Sequence, residues 1–191
     1  MCDPNYVREF MRHSDQWSRE WNRETLLEYL AQHGIQFEET VHDPVYTMAE
    51  SAELNIPLRG SRCKNLLVRD KEGLNRFLVV TSPDASIDLG ALGRQLGAGR
   101  LSLCPPEEMQ RILHVGPGSL SPLALVADVG PEKVRLLLDE SLRANSKFLF
   151  HPLVNTSTIS ITSDGLRVFV ESTGHTAEFV DVPSRAVPAD E

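Results

Sequence analysis

Lys64 opens the apolar run KNLLV. A lysine there either snorkels its ammonium to solvent or offers it to an anionic ligand. Residues 116–122, GPGSLSP, place Gly116 and Gly118 around a proline and follow them with Ser119, Ser121 and Pro122. Glycines let the main chain approach a ligand closely, and consecutive free N–H groups bind a carbonyl or an anion. The same run serves equally well as a tight turn. Position 121 is Ser where GxGxxG needs a third glycine, no Gly-Lys-Ser/Thr follows, and the GxSxG elbow is missing. In residues 147–162, KFLFHPLVNTSTISIT, an apolar strand is interrupted by His151, Pro152, Asn155 and a run of hydroxyls. Buried polar atoms cost free energy unless hydrogen-bonded, so this insert needs partners or a ligand. Asn155, Thr156 and Thr158 supply donors and acceptors to the strand faces. His151, and His42 in VHDPVYT, have no HxxxH or carboxylate spacing beside them, so each reads as readily as a turn or core histidine; no metal is expected.

Elements that could position these residues follow from pattern. NRETLLEYLAQHG carries Leu26, Leu27 and Leu30 on one stripe with Gly34 as a left-handed stop, which predicts a helix. FEETV reads as a strand, and TMAESAEL has Thr47 and Glu50 at capping-box spacing, predicting a short helix. KNLLVRDKEGLNRFLVVT is a hairpin whose turn contains Asp70 and Gly73. DLGALGRQLG, capped by Asp88, and PPEEMQRIL, started by Pro105 and Pro106, read as helices. LALVADV, KVRLLLD, KFLFH and STISIT read as strands, then SDGLRVFVESTGH as a last helix before the strand AEFVDV. The expected class is α+β: one domain with a mixed, largely antiparallel and partly barrel-like sheet covered by helices. It spans residues 22–182, between an extension, 1–21, that Trp17 and Trp21 could dock, and a frayed tail, 183–191.

The 191 residues, 41% hydrophobic, suffice for one sizeable core. A net charge of −8 repels nucleic acid unless basic groups gather on one face. Between Arg59 and Arg76 six basic residues meet two acids, a partial gathering that a solvated hairpin would also show. Cys2, Cys63 and Cys104 form no CxxC pair and leave an odd thiol, against a disulfide framework or zinc ribbon and in favour of a reducing, cytoplasmic location. No apolar run approaches a membrane span and the N-terminus has no apolar signal core, so no membrane partner is expected.

Five segments in order, HDPVYTMAES, RCKNLLVRDKEGLNRFLVV, DLGALGRQLGAGRLSL, VGPGSLSPLAL and FHPLVNTSTISI, with a closing helix and GH at 174–175, resemble the free-standing editing deacylases related to the insertion domain of bacterial prolyl-tRNA synthetase, the YbaK type. The similarity runs over about residues 23–182 and is strongest to the branch that removes alanine from proline tRNA. It implies that the histidine strand, the lysine strand and the glycine loop converge on a substrate pocket. Lys64 and Asn65 match the start of KNL, Gly118 to Pro122 the GxxxP loop, and His151 and Asn155 the HPxxN segment. The resemblance gives Lys64, Gly118 and His151 catalytic roles: Lys64 contacts the terminal adenosine or its phosphate and N–H groups around Gly118 orient the ester. Asn65, Gly116, Ser119, Ser121, Pro122, Phe150, Asn155, Thr156 and Val45 would bind substrate. Phe150 stands where the alanine-specific branch usually has methionine. No nucleophilic triad is present, so water attacks directly, aided by the ribose hydroxyl beside the ester, with no cofactor. The implied partners are the acceptor end of mischarged proline tRNA and prolyl-tRNA synthetase. Removal of serine, threonine or cysteine on the same machinery, or a non-catalytic module that holds aminoacyl-tRNA or a synthetase, are the alternatives.

Overall fold

The computed structural model describes residues 20–45, 53–130 and 133–185. The first helix, α1 (Arg23–Gln32), starts at a reciprocal cap: Asn22 Oδ1 accepts from the Thr25 N–H and Thr25 Oγ1 accepts from the Asn22 N–H, both at 2.9 Å. Gly34 stops it at φ 68°, as its position predicts. The buried face, Leu26, Tyr29 and Leu30, enters the main core, and Trp21 packs edge-on to Tyr29 at 5.5 Å. The other proposed anchor, Trp17, and most of the predicted helix TMAESAEL lie outside the described residues.

Two open sheets follow. Strands β1 (Phe37–Val41), β2 (Ser61–Arg62), β7 (Lys147–Phe150) and β8 (Ser157–Thr162) form one, in the order β1-β8-β7-β2. Strands β3 (Lys64–Arg69), β4 (Arg76–Thr81), β5 (Ser102–Leu103), β6 (Arg135–Asp139) and β9 (Ala177–Val180) form the other, in the order β5-β3-β4-β6-β9. Antiparallel β1·β8, β7·β8, β3·β4 and β3·β5 pairs coexist with parallel β2·β7, β4·β6 and β6·β9 pairs. The α+β class and single domain stand, but the expected single, barrel-like sheet is two sheets, neither closed. The chain passes from one sheet to the other at Cys63, the one residue between β2 and β3.

Strand alternation divides the apolar side chains between two clusters. Leu78 and Val80 of β4 and Leu136 and Leu138 of β6 join the main core with Phe148, Phe150, Ile159 and Ile161 of the other sheet. Phe77, Val79 and Leu137 face the opposite way, onto Leu92 of α2 (Leu89–Gln95). Helix α3 (Pro106–Leu113) begins on the proline pair, and α4 (Ser163–Ser172) adds Leu166, Phe169 and Val170 to the main core. One predicted strand fails. Residues Pro122–Ala127 form a buried 3-10 helix, because Pro122 has no N–H to give a ladder and the Ser121 hydroxyl caps the Leu123 N–H at 3.3 Å. At the C-terminal end of the described residues, Pro183 O accepts from the Asp88 N–H at 2.8 Å and Arg185 N–H donates to Ser86 O at 2.6 Å, so these residues dock beside α2.

Glu108 of α3 clamps the β3–β4 hairpin. Its carboxylate, 7% exposed, receives Arg69 at 2.6 Å and Arg76 at 2.8 Å. Removing a buried partner leaves uncompensated charge, so Glu108→Ala should lower stability by about 3 kcal/mol in urea unfolding. A loss below about 0.5 kcal/mol, within the range of an ordinary surface substitution, would show that the clamp contributes nothing.

Candidate active site

The sheet crossing at Cys63 decides where a cavity forms. Lys64 heads β3 in one sheet while Phe150 ends β7 in the other with His151 just after it, and the segment before the 3-10 helix closes the gap between them. A cavity of about 260 Å³ opens at this seam, with Val45, Lys64, Asn65, Gly118, Phe150 and His151 all in its wall. That volume lies at the small end for ligand sites, enough for a small acyl group and part of a nucleoside. Lys64 and Gly118 therefore line one space.

Each wall has a local cause. Gly118 adopts φ 85°, a left-handed conformation that a side chain would strain, and this turns the loop toward the cavity. The Ser119 N–H is consumed by the Gly116 carbonyl at 3.1 Å. Among the described residues no acceptor takes the N–H of Gly118 or Leu120, and both residues line the cavity. These two amides are therefore free to donate. Lys64 Nζ donates to the Ala85 carbonyl at 2.5 Å, so its ammonium is already directed rather than loose in solvent. Phe150 is 2% exposed and stacks on Phe148 at 5.7 Å, a stiff apolar wall.

Several residues expected to touch substrate instead hold the walls together. Asn65 Nδ2 donates to Leu120 O at 3.1 Å, tying the lysine strand to the glycine loop. Ser121 Oγ donates to His151 O at 2.7 Å, tying that loop to the histidine segment. Asn155 Nδ2 donates to Val45 O at 3.0 Å, and Thr156 O accepts the His42 N–H at 2.9 Å. Gly116, Ser119, Ser121, Pro122, Asn155 and Thr156 are not in the cavity wall; Asn65 is both wall and brace.

His151 Nδ1 lies 2.7 Å from the Ser157 carbonyl. A carbonyl only accepts, so Nδ1 carries the hydrogen and Nε2 of the neutral ring is left as an acceptor. Burial, chiefly, pushes the His151 pKa below its ordinary value; the neighbouring His42 adds to this and the Ser157 bond opposes it. Arg62 and Cys63, not singled out as site residues from the sequence, and Thr158, read there as a donor or acceptor on a strand face, also line the cavity. Arg62 gives Nη2 to Leu54 O at 2.6 Å, while its buried Nη1 has no partner. Burial raises the Cys63 thiol to about 12, which favours the protonated form over the nucleophilic thiolate. The spacing signal for Arg62 and Cys63 lay in their adjacency to Lys64; for Thr158 it was alternation along β8. His175, in the GH that extended the resemblance, bonds Asp128 at 2.9 Å outside the cavity wall and locks α4 to the segment before β6. Among the described residues no helix is long and apolar enough to cross a membrane, and no group of three or more metal-type side chains is gathered.

A family model described as an aminoacyl-tRNA editing domain matches residues 42–169. The prolyl-tRNA editing protein ProX of Acetoanaerobium sticklandii is 31% identical over 141 residues, covering 74% of this chain and 85% of that protein. Prolyl-tRNA synthetase associated domain-containing protein 1 of Mus musculus is 34% identical over 145 residues, with the same 74% and 85% coverage. A crystal structure described as a candidate trans-editing enzyme for prolyl tRNA synthetase superposes with a TM-score of 0.64 at 21% identity, over 88% of this chain and all of that one, a likeness of fold.

The buried neutral His151 sets a pH dependence. With its folded pKa below the unfolded 6.5, the unfolded state binds more protons, so this group's contribution falls as pH drops below 6.5 toward the folded value. His151→Gln should flatten part of that acid slope in urea unfolding between pH 7.5 and 5. An unchanged slope would mean that His151 is not held neutral.

Proposed function

The chain belongs to the family of aminoacyl-tRNA editing domains, and from that premise we propose that it is a trans-editing hydrolase that cleaves alanine from mischarged proline tRNA. The observation that carries this reading is the meeting of Lys64, the free amides of Gly118 and Leu120, and His151 on one small cavity. The ester carbonyl sits against the two amides, which stabilise the oxyanion as it develops. Lys64, with Arg62 beside it, holds the phosphate next to the terminal adenosine. Water attacks the carbonyl carbon, the bond to the ribose oxygen breaks, and the water's proton passes to that leaving oxygen. The Nε2 acceptor of His151 and the ribose hydroxyl beside the ester orient the water. The cleaved products are alanine and free tRNA. The prolyl-tRNA synthetase that makes the error is the source of the substrate.

Selection rests on size. In this reading Phe150, stacked on Phe148, and Val45 form the acyl-binding wall, which admits the methyl group of alanine and excludes the proline ring. Steric exclusion by a rigid wall discriminates more strongly than a missing methylene, worth only about 1–3 kcal/mol.

The decisive assay charges proline tRNA separately with alanine, serine, cysteine and proline and follows the loss of each ester; alanine should be released and proline spared. Release of serine or cysteine in place of alanine would reassign the substrate. No release of any would leave a binding module. Lys64→Ala should slow alanine release about a hundredfold, roughly 2.7 kcal/mol in transition-state terms, and unchanged turnover would remove Lys64 from the site. Phe150→Ala should begin to release proline. Continued protection of the prolyl ester by that variant would count against Phe150 as the gate.

A further inference from the structure

One histidine beside the cavity has no task in this reaction. His42 follows β1, and its ring stands 5.7 Å from that of His151. Its Nδ1 is 2.8 Å from the Asp43 carbonyl and its Nε2 is 2.9 Å from Thr158 Oγ1. The carbonyl fixes the hydrogen on Nδ1, so in the neutral ring Nε2 accepts and the Thr158 hydroxyl must donate to it. The nitrogen on the other side, His151 Nδ1 at 3.5 Å, carries a hydrogen too, because of its own bond to Ser157 O. Thr158 Oγ1 therefore has its proton consumed by His42, and its lone pairs are left over. Thr158 is 3% exposed and lies in the cavity wall.

An oxygen held as an acceptor suits one part of an aminoacyl ester. The α-ammonium carries three N–H donors and a positive charge, and it must shed water to enter. Arg62 and Lys64 on the same cavity repel it, so it needs acceptors elsewhere in the wall. A second acceptor is present: Asn65 Oδ1 is buried without a partner, and its orientation is fixed because Nδ2 is bound to the Leu120 carbonyl.

We propose that Thr158 Oγ1, held as an acceptor by His42, receives the α-ammonium of the aminoacyl group, with Asn65 Oδ1 as its companion, so that the site reads a free amine as well as a small side chain. Thr158 is then a substrate-binding residue and His42 the residue that positions its hydroxyl. This deepens the deacylase reading and rests on it.

The test compares two esters of proline tRNA: alanyl, and propionyl, which is alanine without its amino group. Thr158→Val should lower the ratio of alanyl to propionyl hydrolysis about tenfold, mainly through KM, as expected for loss of a hydrogen bond to a charged group. Thr158→Ser should keep the wild-type ratio. His42→Leu leaves Thr158 in place but frees its proton, and should lower the ratio in the same direction. A ratio unmoved by both Thr158→Val and His42→Leu overturns the inference while leaving the deacylase reading intact. A wild-type protein that cleaves neither ester overturns both.

Discussion

The cavity exists because two open sheets exchange a chain at Cys63 and are then held at a fixed separation by hydrogen bonds from side chains to main-chain carbonyls. Asn65 reaches Leu120, Ser121 reaches His151 and Asn155 reaches Val45, so the lysine strand, glycine loop, histidine segment and Val45 wall form one linked series. Each bond contributes only about 1 kcal/mol net, but breaking one strands a buried carbonyl at about 1–3 kcal/mol. The links also act together, because each fixes a segment that the next one uses. Such a frame keeps donors in place before a substrate arrives, which is the condition for oxyanion stabilisation.

The tight return between β7 and β8 shows where the strain of that frame is stored. Leu153 sits at φ 65°, a left-handed conformation that a branched aliphatic side chain disfavours by about 1–3 kcal/mol. Leu153 is buried in the main core, and the flanking His151 and Asn155 are both tied by hydrogen bonds, so the surroundings hold the turn against its preference. The return brings the Ser157 carbonyl under the His151 ring, and that contact sets the tautomer. The backbone geometry and the imidazole's acceptor nitrogen are thus consequences of one turn.

What could be read from the amino acids was whatever depends on local chemistry. The β3–β4 hairpin, the Gly34 stop of α1 and the Asp88 and proline-pair helix starts are all local. LALVADV misled because a short apolar run looks the same as strand or buried helix, and Pro122 decided between them through its missing N–H. The seam at Cys63 was invisible: nothing in SRCKN announces that one residue separates two sheets. For the same reason the convergence of Lys64, Gly118 and His151 came from the family resemblance, whereas the roles of Ser121 and Asn155 as braces needed coordinates. A hydroxyl or amide in a motif can serve either a ligand or a neighbouring carbonyl, and only distance separates the two.

Charge gives the last constraint. A chain of net charge −8 is proposed to act on a polyanion, and the basic hairpin that would help is partly neutralised, since Glu108 takes both Arg69 and Arg76. The cations that face the cavity are Lys64 and Arg62, next to where the terminal nucleotide would lie. Attraction is then concentrated at the acceptor end instead of being spread along the tRNA body, and affinity depends on contacts that the ester itself completes. Departure of the acyl group removes its own contacts with the wall, while the protein's overall charge repels the tRNA body. An acidic surface with a small cationic mouth therefore favours release of product over retention, which suits an enzyme whose substrate is a rare error among correctly charged tRNAs.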